Sequence, residues 1–214
     1  QYHNLEHEGE DYRMHQKQYY NSNFKDTDPD YWRVYGLGQV GRNRATVFKF
    51  TECAEIPANA KLVARGLDWG FVNDPSVLVA TYVLGNNLYI DELFYEYAMT
   101  NRDIHNKLQS LDLKRQDEIF ADSSEPKSID ELHRYGWNCK PATKGKDSIL
   151  MGIDLMKRYN IYITSSSTNT LQEFRNYKWL EDKNGNLLNK PEDRNNHSID
   201  SCRYSIITRL SRPN

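Results

Sequence analysis

Three aspartates stand in the sequence where they could act together. Asp68 follows the run KLVARGL, Asp122 follows the run EIFA, and Asp200 lies in the segment HSIDSCRY. The first two runs are typical of short strands, and the third is typical of a helix. Carboxylates that end neighbouring strands emerge side by side at one edge of a sheet. If a helix crosses that edge, three oxygen ligands can converge there.

Such a cluster requires a counter-charge, because like charges close together raise one another's pKa. A divalent cation is the natural compensation, and Mg²⁺ or Mn²⁺ suits these hard oxygen ligands better than zinc. Two ions about 3.5–4 Å apart would serve phosphodiester hydrolysis. Spacing alone leaves other interpretations open: Asp122, before Ser-Ser-Glu-Pro, could be a helix N-cap, and Asp200 a solvated helix residue.

The surrounding runs predict an α/β fold with a mixed sheet flanked by helices. Three short strands after Lys61, with a tight turn at Gly85-Asn86-Asn87, indicate an antiparallel meander. Helices and strands then alternate, which is typical of parallel strands. The expected elements are a helix over 100–111 with Thr100 as N-cap, a strand within 117–124, a helix over 125–135, a strand over 137–140, a helix over 147–159, a strand over 161–164 and a helix around 171–177.

Two features near the C-terminus complete this architecture. Asn184-Gly185 within KWLEDKNGNLLNKP predicts a protruding β-hairpin with a type I′ turn. The closing run NHSIDSCRYSIITRL predicts a helix that buries one stripe and offers another face to a site. The expected buried stripe consists of Ile199, Cys202, Ile206 and Leu210.

Composition excludes several classes of protein. With 28 basic and 30 acidic residues the chain has no global attraction for nucleic acid, so any DNA contact must be local. The three cysteines have no CxxC spacing, so neither a disulfide framework nor a zinc knuckle is indicated. No apolar run approaches the ~20 residues of a membrane span, and no signal peptide is evident, so no membrane partner is expected. We expect residues 1–55 to be an N-terminal extension that packs on a domain over 56–214.

Six strings in order resemble the C-terminal half of the large terminase subunit of tailed phages. They are YWRVYGLGQVG, GLDWGFVNDPS, ADSSEPKSI, KGKDSILMGI, NYKW and NHSIDSCRY. The resemblance implies a ribonuclease H-like nuclease that cuts double-stranded viral DNA during packaging, with Mg²⁺ or Mn²⁺, in two ions, as cofactor. It implies that Asp68, Asp122 and Asp200 are the catalytic, metal-binding carboxylates.

The resemblance also suggests two auxiliary residues. Asp74 in VNDPS could bind a second ion, although a turn aspartate before Pro75 is an equal interpretation. His197, three residues before Asp200, could move a proton or touch the scissile phosphate, or could have no role.

Candidate DNA contacts are basic and local. Lys144 and Lys146 precede a predicted helix whose N-terminus could help them to bind a phosphate. Arg203 lies near Asp200 on the last helix, and Lys183 and Lys190 belong to the hairpin, which could enter a groove. For each lysine taken alone, a solvated surface charge is the better interpretation.

The sequence lacks a phosphate-binding loop, because KGKDS has no upstream glycine and no Lys-Ser/Thr pair. The resemblance implies that a complete large terminase carries an ATPase half, which this chain lacks, and the start at Gln1 suggests a piece of a longer polypeptide. It further implies the portal protein, the small terminase subunit and that ATPase domain as partners, in the host cytoplasm and outside the mature virion.

Two other functions are open at this point. A non-catalytic module that docks the motor on the portal would keep the aspartates as structural residues. Another ribonuclease H-like enzyme, such as a junction resolvase or transposase, would share the carboxylates but prefer branched or end-specific DNA. The strings YGLGQVG and KGKDSI argue against this last alternative.

Overall fold

A computed structural model describes residues 45–145 and 147–211, which form a mixed sheet with helices on both faces. The strands are β1 (Phe50–Cys53), β2 (Lys61–Asp68), β3 (Ser76–Leu84), β4 (Asn87–Glu96), β5 (Ile119–Ala121), β6 (Cys139–Pro141), β7 (Asn160–Thr164), β8 (Trp179–Glu181) and β9 (Leu187–Pro191). The helices are α1 (Asn101–Ser110), α2 (Pro126–Arg134), α3 (Ser148–Met156), α4 (Thr168–Asn176) and α5 (His197–Leu210).

The main sheet has seven strands in the order β1-β7-β4-β3-β2-β5-β6. Strands β2, β3 and β4 form the predicted antiparallel meander. Strands β5 and β6 extend it in parallel beside β2, while β7 and β1 extend it in parallel beside β4. The predicted fold class is therefore confirmed, including the separate β8–β9 hairpin.

Alternating side chains of β3 build a core on each face of the sheet. Val77 and Val79 pack in one cluster with apolar residues of α3, α4 and α5, whereas Leu78 packs in the other with residues of α1 and α2. This two-residue period is what a strand covered on both faces requires.

The helices start where the sequence supplies caps. Thr100 forms a reciprocal capping box with Asp103 at the start of α1, as its N-cap position predicts. Pro126 begins α2, where its missing N–H would be unpaired in any case. Local chemistry therefore sets these two boundaries.

Other boundaries differ from the prediction. Strand β6 starts at Cys139, because Trp137 is buried against α1 and donates its indole N–H to His105 Nδ1 at 3.1 Å. The hairpin is present, but its predicted type I′ turn is wrong. Such a turn needs positive φ at both central residues, and only Gly185 has it. Asp182 instead organises a longer loop by accepting the backbone N–H groups of Asn184 and Asn186.

The last helix offers a second face to the site, as predicted, since His197 and Tyr204 contact Asp68. It is more buried than its pattern indicates. Its expected apolar stripe is in the core, except for the partly buried Leu210, and Ser198, Ser201 and Ser205 are fully buried as well. Helix α5 packs on β2 and β3 and also contacts α3 and α4, so it lies between the sheet and other helices. Buried polar groups need partners, and the hydroxyls of Ser201 and Ser205 have them, whereas the Ser198 hydroxyl has none among the described residues.

Residues 45–53 pack with the sheet. Val47 and Phe48 are in the core, and β1 pairs with β7. Part of the expected extension over 1–55 is thus continuous with the domain, and the rest lies outside the described residues. No helix in the described part of the chain combines the length and apolarity needed to cross a membrane.

Helix α5 approaches the sheet closely at Gly66. A Cβ added there would lie 1.6 Å from the Ser201 carbonyl oxygen, which is a backbone atom. Ser201 also donates its hydroxyl hydrogen to the Gly66 carbonyl. Only a residue without a side chain permits this packing.

We predict that Gly66→Ala destabilises the protein by at least the ~1–3 kcal/mol typical of overpacking, because α5 must move away from β2. The control is Gly145→Ala, since a Cβ at Gly145 meets nothing within 4 Å. That change should stay within about 0.5 kcal/mol. Urea unfolding of both variants measures the difference, and similar midpoints would show that the approach at Gly66 is not rigid.

Candidate active site

The carboxylates of Asp68 and Asp122 lie at the same end of neighbouring parallel strands. Leu67 pairs with Ala121 in the register of β2 and β5, and the Asp122 N–H donates to the Leu67 carbonyl at 3.3 Å. The Tyr204 hydroxyl lies 3.3 Å from Asp68 Oδ1 and 3.1 Å from Asp122 Oδ2, within donating distance of both. One phenol of α5 thus joins the two strand ends.

Asp200 is brought to this edge by the packing of α5 on Gly66. Its neighbour Ser201 contacts the Gly66 backbone, two residues before Asp68. Burial raises the pKa of Asp68, the hydrogen bond with His197 lowers it, and the charge of Asp200 raises it again. The charge of Asp200 therefore acts on Asp68, while the convergence of all three carboxylates on one ion stays a prediction.

His197 lies between the carboxylates of Asp68 and Asp74. Its Nδ1 lies 3.0 Å from Asp68 Oδ2, and its Nε2 lies 3.6 Å from Asp74 Oδ1. The hydrogen bond with Asp68 raises the pKa of His197 in spite of burial, which lowers it. Of the two auxiliary residues suggested by the sequence, His197 is thus beside Asp68, and Asp74 is beside His197.

Each of the three carboxylates has its own basic neighbour. Besides the contact of His197 with Asp68, the Lys144 ammonium contacts Asp122 Oδ1, and the Arg203 guanidinium holds Asp200 Oδ1 through Nε at 3.1 Å and Nη2 at 2.8 Å. The charges that would otherwise repel one another are compensated separately.

The pKa values of Asp122 and Asp200 respond differently to these neighbours. Burial raises the pKa of Asp122, but hydrogen bonds from Lys144 and Ser124 outweigh it and bring the pKa to about 2. For Asp200 burial dominates, and its pKa is raised although Arg203 lowers it. The contact with Ser124 is a local turn, since the Ser124 N–H donates to Asp122 Oδ1 at 2.7 Å.

The aspartates at this site have the chemistry that binds a hard cation, although they are not arranged around a common ion position. Asp68, Asp122, Asp200 and Asp74 offer carboxylate oxygens without any thiolate, which suits Mg²⁺ or Mn²⁺. Over residues 45–145 and 147–211, no three His, Cys, Asp or Glu side chains are close enough to hold one ion together. The Lys144 side chain that contacts Asp122 is exposed, so it reaches the carboxylate from the surface.

The predicted DNA contacts are placed in different ways. Lys144 is at the site itself, and Lys183 is exposed in the hairpin loop. Lys190, also exposed, lines a cavity of about 420 Å³ that lies between the hairpin and the starts of α3 and α5. Lys146 lies outside the described residues. Arg203 is only 3% exposed, so it holds Asp200 and has no surface for DNA.

Glu173 of α4 is a site-forming residue that the sequence did not reveal. Its Oε2 accepts the Ser198 N–H at 2.7 Å, and its Oε1 accepts the Tyr95 hydroxyl at 3.0 Å. The Asn196 side chain makes no capping bond, so Glu173 supplies from another helix the acceptor that the start of α5 needs. No local pattern signals this role, whereas Tyr204 was detectable as one turn beyond Asp200.

A mixed sheet with carboxylates at adjacent strand ends and on a crossing helix defines a ribonuclease H-like domain. Residues 68–207 match the family described as the terminase RNAseH-like domain. The chain belongs to this family of terminase large-subunit nuclease domains.

Relatives agree in sequence and in structure. The large terminase subunit of Bacillus phage SPP1 is 34% identical over 155 residues, which are 67% of this chain and 35% of that protein. The PBSX phage terminase large subunit of Bacillus subtilis is 28% identical over 85% of this chain and 44% of its own length. The chain therefore spans less than half of these relatives.

Among solved structures, the nuclease domain of the SPP1 large terminase with bound Mn has a TM-score of 0.66 and 27% identity, covering 76% of this chain and 97% of that one. The large terminase nuclease of the thermophilic phage G20c with bound magnesium has a TM-score of 0.53 and 15% identity, covering 77% and 97%. The second likeness concerns the fold alone.

The raised pKa of Glu173 predicts that the stability of the fold depends on pH. Burial raises this pKa from 4.5 to about 7, against the lowering effect of the hydrogen bonds from Tyr95 and Ser198. The folded protein therefore binds the proton more tightly than the unfolded chain. The resulting stability is fully present below pH 4.5 and is lost as the pH rises through about 7.

We expect Glu173→Gln to remove this dependence. Relative to wild type, the variant should gain stability by up to about 3 kcal/mol between pH 4.5 and 7.5, at about 1.4 kcal/mol per pKa unit. Denaturant unfolding across this range measures the gain, with the exposed Glu55→Gln as control. Parallel pH profiles for wild type and Glu173→Gln would contradict the assignment.

Proposed function

We propose that this chain is a metal-dependent endonuclease that cuts double-stranded viral DNA during genome packaging into procapsids. The observation that carries the proposal is that Asp68 and Asp122 end neighbouring strands and share the Tyr204 hydroxyl, in a domain of the terminase nuclease family. The charge of Asp200 also acts on Asp68. The bound Mn and magnesium of the SPP1 and G20c nuclease structures support Mg²⁺ or Mn²⁺ as the cofactor.

The energetics of burial favour this function over a non-catalytic docking module. Burial raises the pKa of both Asp68 and Asp200, so the fold makes their ionised forms costly. Replacing buried ion pairs by apolar residues is often neutral or stabilising. Two buried carboxylates whose ionised forms are costly, near a third that Lys144 keeps ionised, are therefore better explained by a bound ion than by structural need.

We assign metal binding to Asp68, Asp122 and Asp200, with Asp74 as a further oxygen donor. Two bound ions would supply an activated water molecule and stabilise the leaving oxygen. Within the chain, Arg203 fixes the direction of Asp200, and Tyr204 keeps Asp68 and Asp122 together. His197 holds a proton between Asp68 and Asp74, from which it can reach a departing oxygen.

DNA binding is assigned to local positive charge. Lys144 contacts Asp122 from a partly exposed position, so it can transfer to a backbone phosphate when the carboxylate binds an ion. Lys183 and Lys190 extend the phosphate contact along the hairpin. Lys146 is assigned the same role from its position in the sequence alone. Phosphate contacts of this kind carry little sequence information, so cutting should show little preference for sequence.

Larger partners belong to a complete subunit. The chain spans 35% and 44% of the two curated relatives, which leaves room in a whole protein for a further domain. We propose that this domain is the ATPase motor, that the portal protein and the small terminase subunit are its partners, and that the complex acts in the host cytoplasm and is absent from the mature virion.

The first test is divalent-ion dependence. The chain should nick and linearise plasmid DNA with Mn²⁺ or Mg²⁺ and stop when EDTA removes the ion, because the carboxylates alone cannot stabilise the leaving oxygen. Agarose gels of supercoiled plasmid measure both products. Equal cutting with and without chelator would reject a metal mechanism, and no cutting with either ion would favour the docking module.

The second test is Asp68→Asn, which keeps the shape and removes the charge. Cleavage should fall by more than about a hundredfold, since loss of residues that merely support a ligand already costs about 10–100-fold. In EDTA the variant should melt at or above the wild-type temperature, because burial disfavours the Asp68 charge.

The matched control for Asp68→Asn is Asp130→Asn on α2. Asp130 is exposed and pairs with Arg134 on the same helix. This change should leave cutting in Mn²⁺ and the melting temperature close to wild type. An Asp68→Asn variant that melts clearly lower, or cuts at the wild-type rate, would make Asp68 a structural residue.

A further inference from the structure

A second cavity, of about 300 Å³, lies beside the start of α5. Three of its side chains are amides on one stripe of α4, spaced three and four residues apart. The cavity is lined by Tyr95, Tyr97, Asn169, Gln172, Asn176 and Asn195, with Glu173 at the base of the stripe. None of the assigned metal ligands, and no lysine or arginine of the described chain, lines this cavity.

The lining suits a flat, uncharged, polar ring. The side chains of Gln172, Asn176 and Asn195 are exposed, and an amide offers two donors and an acceptor to the edge of a ring. Tyr97 is 57% exposed and packs edge-on against Tyr95, with ring centroids 6.2 Å apart. Its open face is available for stacking.

The same lining is unsuited to a phosphate. A phosphate site in a protein uses cations or a cluster of backbone N–H groups, and the side chains lining this cavity include no lysine or arginine. A nucleobase needs no such cation, because its edges are neutral donors and acceptors and its faces stack on aromatic rings. The volume is at the lower end of the ~300–1,000 Å³ of small-ligand sites, which is consistent with a single base.

The cavity and the carboxylate cluster share the first turn of α5. Glu173 Oε2 accepts the Ser198 N–H at 2.7 Å, and the preceding residue, His197, contacts Asp68 at 3.0 Å. Asn195 in the cavity wall is only two residues from His197, so their Cα atoms are at most about 7 Å apart. A DNA strand at the carboxylates therefore passes within one or two nucleotides of the cavity.

We propose that this cavity binds one unpaired nucleobase of the DNA strand next to the cleavage site, stacked on Tyr97 and hydrogen-bonded by the amides of α4. The proposal rests on the proposed function, because the carboxylate cluster must receive DNA for the base to be near. Taking a base out of a duplex costs a few kcal/mol, so a frayed or single-stranded end is the preferred occupant.

The test compares three fluorescent DNA probes in EDTA, where binding is measured without cleavage. They share one short duplex and differ in the end: blunt, with a single-stranded tail, or with an abasic tail of equal length. Tails of both polarities are used. Fluorescence anisotropy should show that the wild-type chain binds the intact tail about tenfold more tightly than the abasic one, as expected for one stacked base.

Variants separate stacking from folding. Tyr97→Ala should reduce the preference for the intact tail to about twofold or less, whereas Tyr97→Phe, which keeps the ring, should retain it. The double variant Gln172→Ala/Asn176→Ala should also weaken the preference for the intact tail. Gln109→Ala, an exposed amide change on α1 outside the cavity, should leave it at the wild-type value.

Two outcomes overturn the proposal. Equal binding of intact and abasic tails by the wild type would do so and would leave the cavity to a protein segment. A Tyr97→Ala variant that keeps the full preference would also do so. Plasmid cutting in Mn²⁺ distinguishes failure of the base site from failure of the nuclease proposal. A wild-type chain that cuts plasmid but binds all tails equally refutes only the base site. A wild-type chain that prefers the intact tail but never cuts refutes the nuclease.

Discussion

The candidate site depends on how closely α5 approaches β2. At Gly66 the Ser201 carbonyl occupies the space that any side chain would need. Two residues further along β2 is Asp68, and the residue before Ser201 is Asp200, so this single approach brings the two carboxylates into electrostatic range. One turn later Tyr204 reaches both Asp68 and Asp122. The packing distance between α5 and β2 therefore determines how strongly the charges of Asp68, Asp122 and Asp200 act on one another.

The carboxylates are compensated separately, and this explains how a cluster of buried acids is compatible with a folded protein. His197, Lys144 and Arg203 each hold a different member. The compensation is unequal, because burial keeps the pKa of Asp68 and Asp200 raised while Lys144 and Ser124 bring that of Asp122 to about 2. A bound cation would relieve the remaining cost at Asp68 and Asp200, which is the physical basis of the proposed metal dependence.

Glu173 connects the cluster to the amide-lined cavity. Its carboxylate accepts the Ser198 N–H at the start of α5 and lies at the base of the stripe formed by Asn169, Gln172 and Asn176. Its second oxygen accepts the Tyr95 hydroxyl, and the Tyr95 ring in turn packs against Tyr97. A ligand that shifts Tyr97 or α4 would thus act on the first turn of the helix that carries His197 and Asp200.

The sequence by itself determined the order of the elements, the mixed sheet and the positions of Asp68 and Asp122, because hydrophobic periodicity and caps such as Thr100 are local signals. It also indicated Asp200 from its place in a predicted helix, and His197 and Asp74 through resemblance. Tertiary structure decided the burial of Arg203, the Glu173 cap on α5 and the turn at Gly185, because each depends on contacts or loop geometry that no local pattern encodes. The electrostatic state of the site was decided there too, since burial raises the pKa of Asp68 and Asp200, and the hydrogen bond that lowers the pKa of Asp68 comes from His197, 129 residues away in sequence.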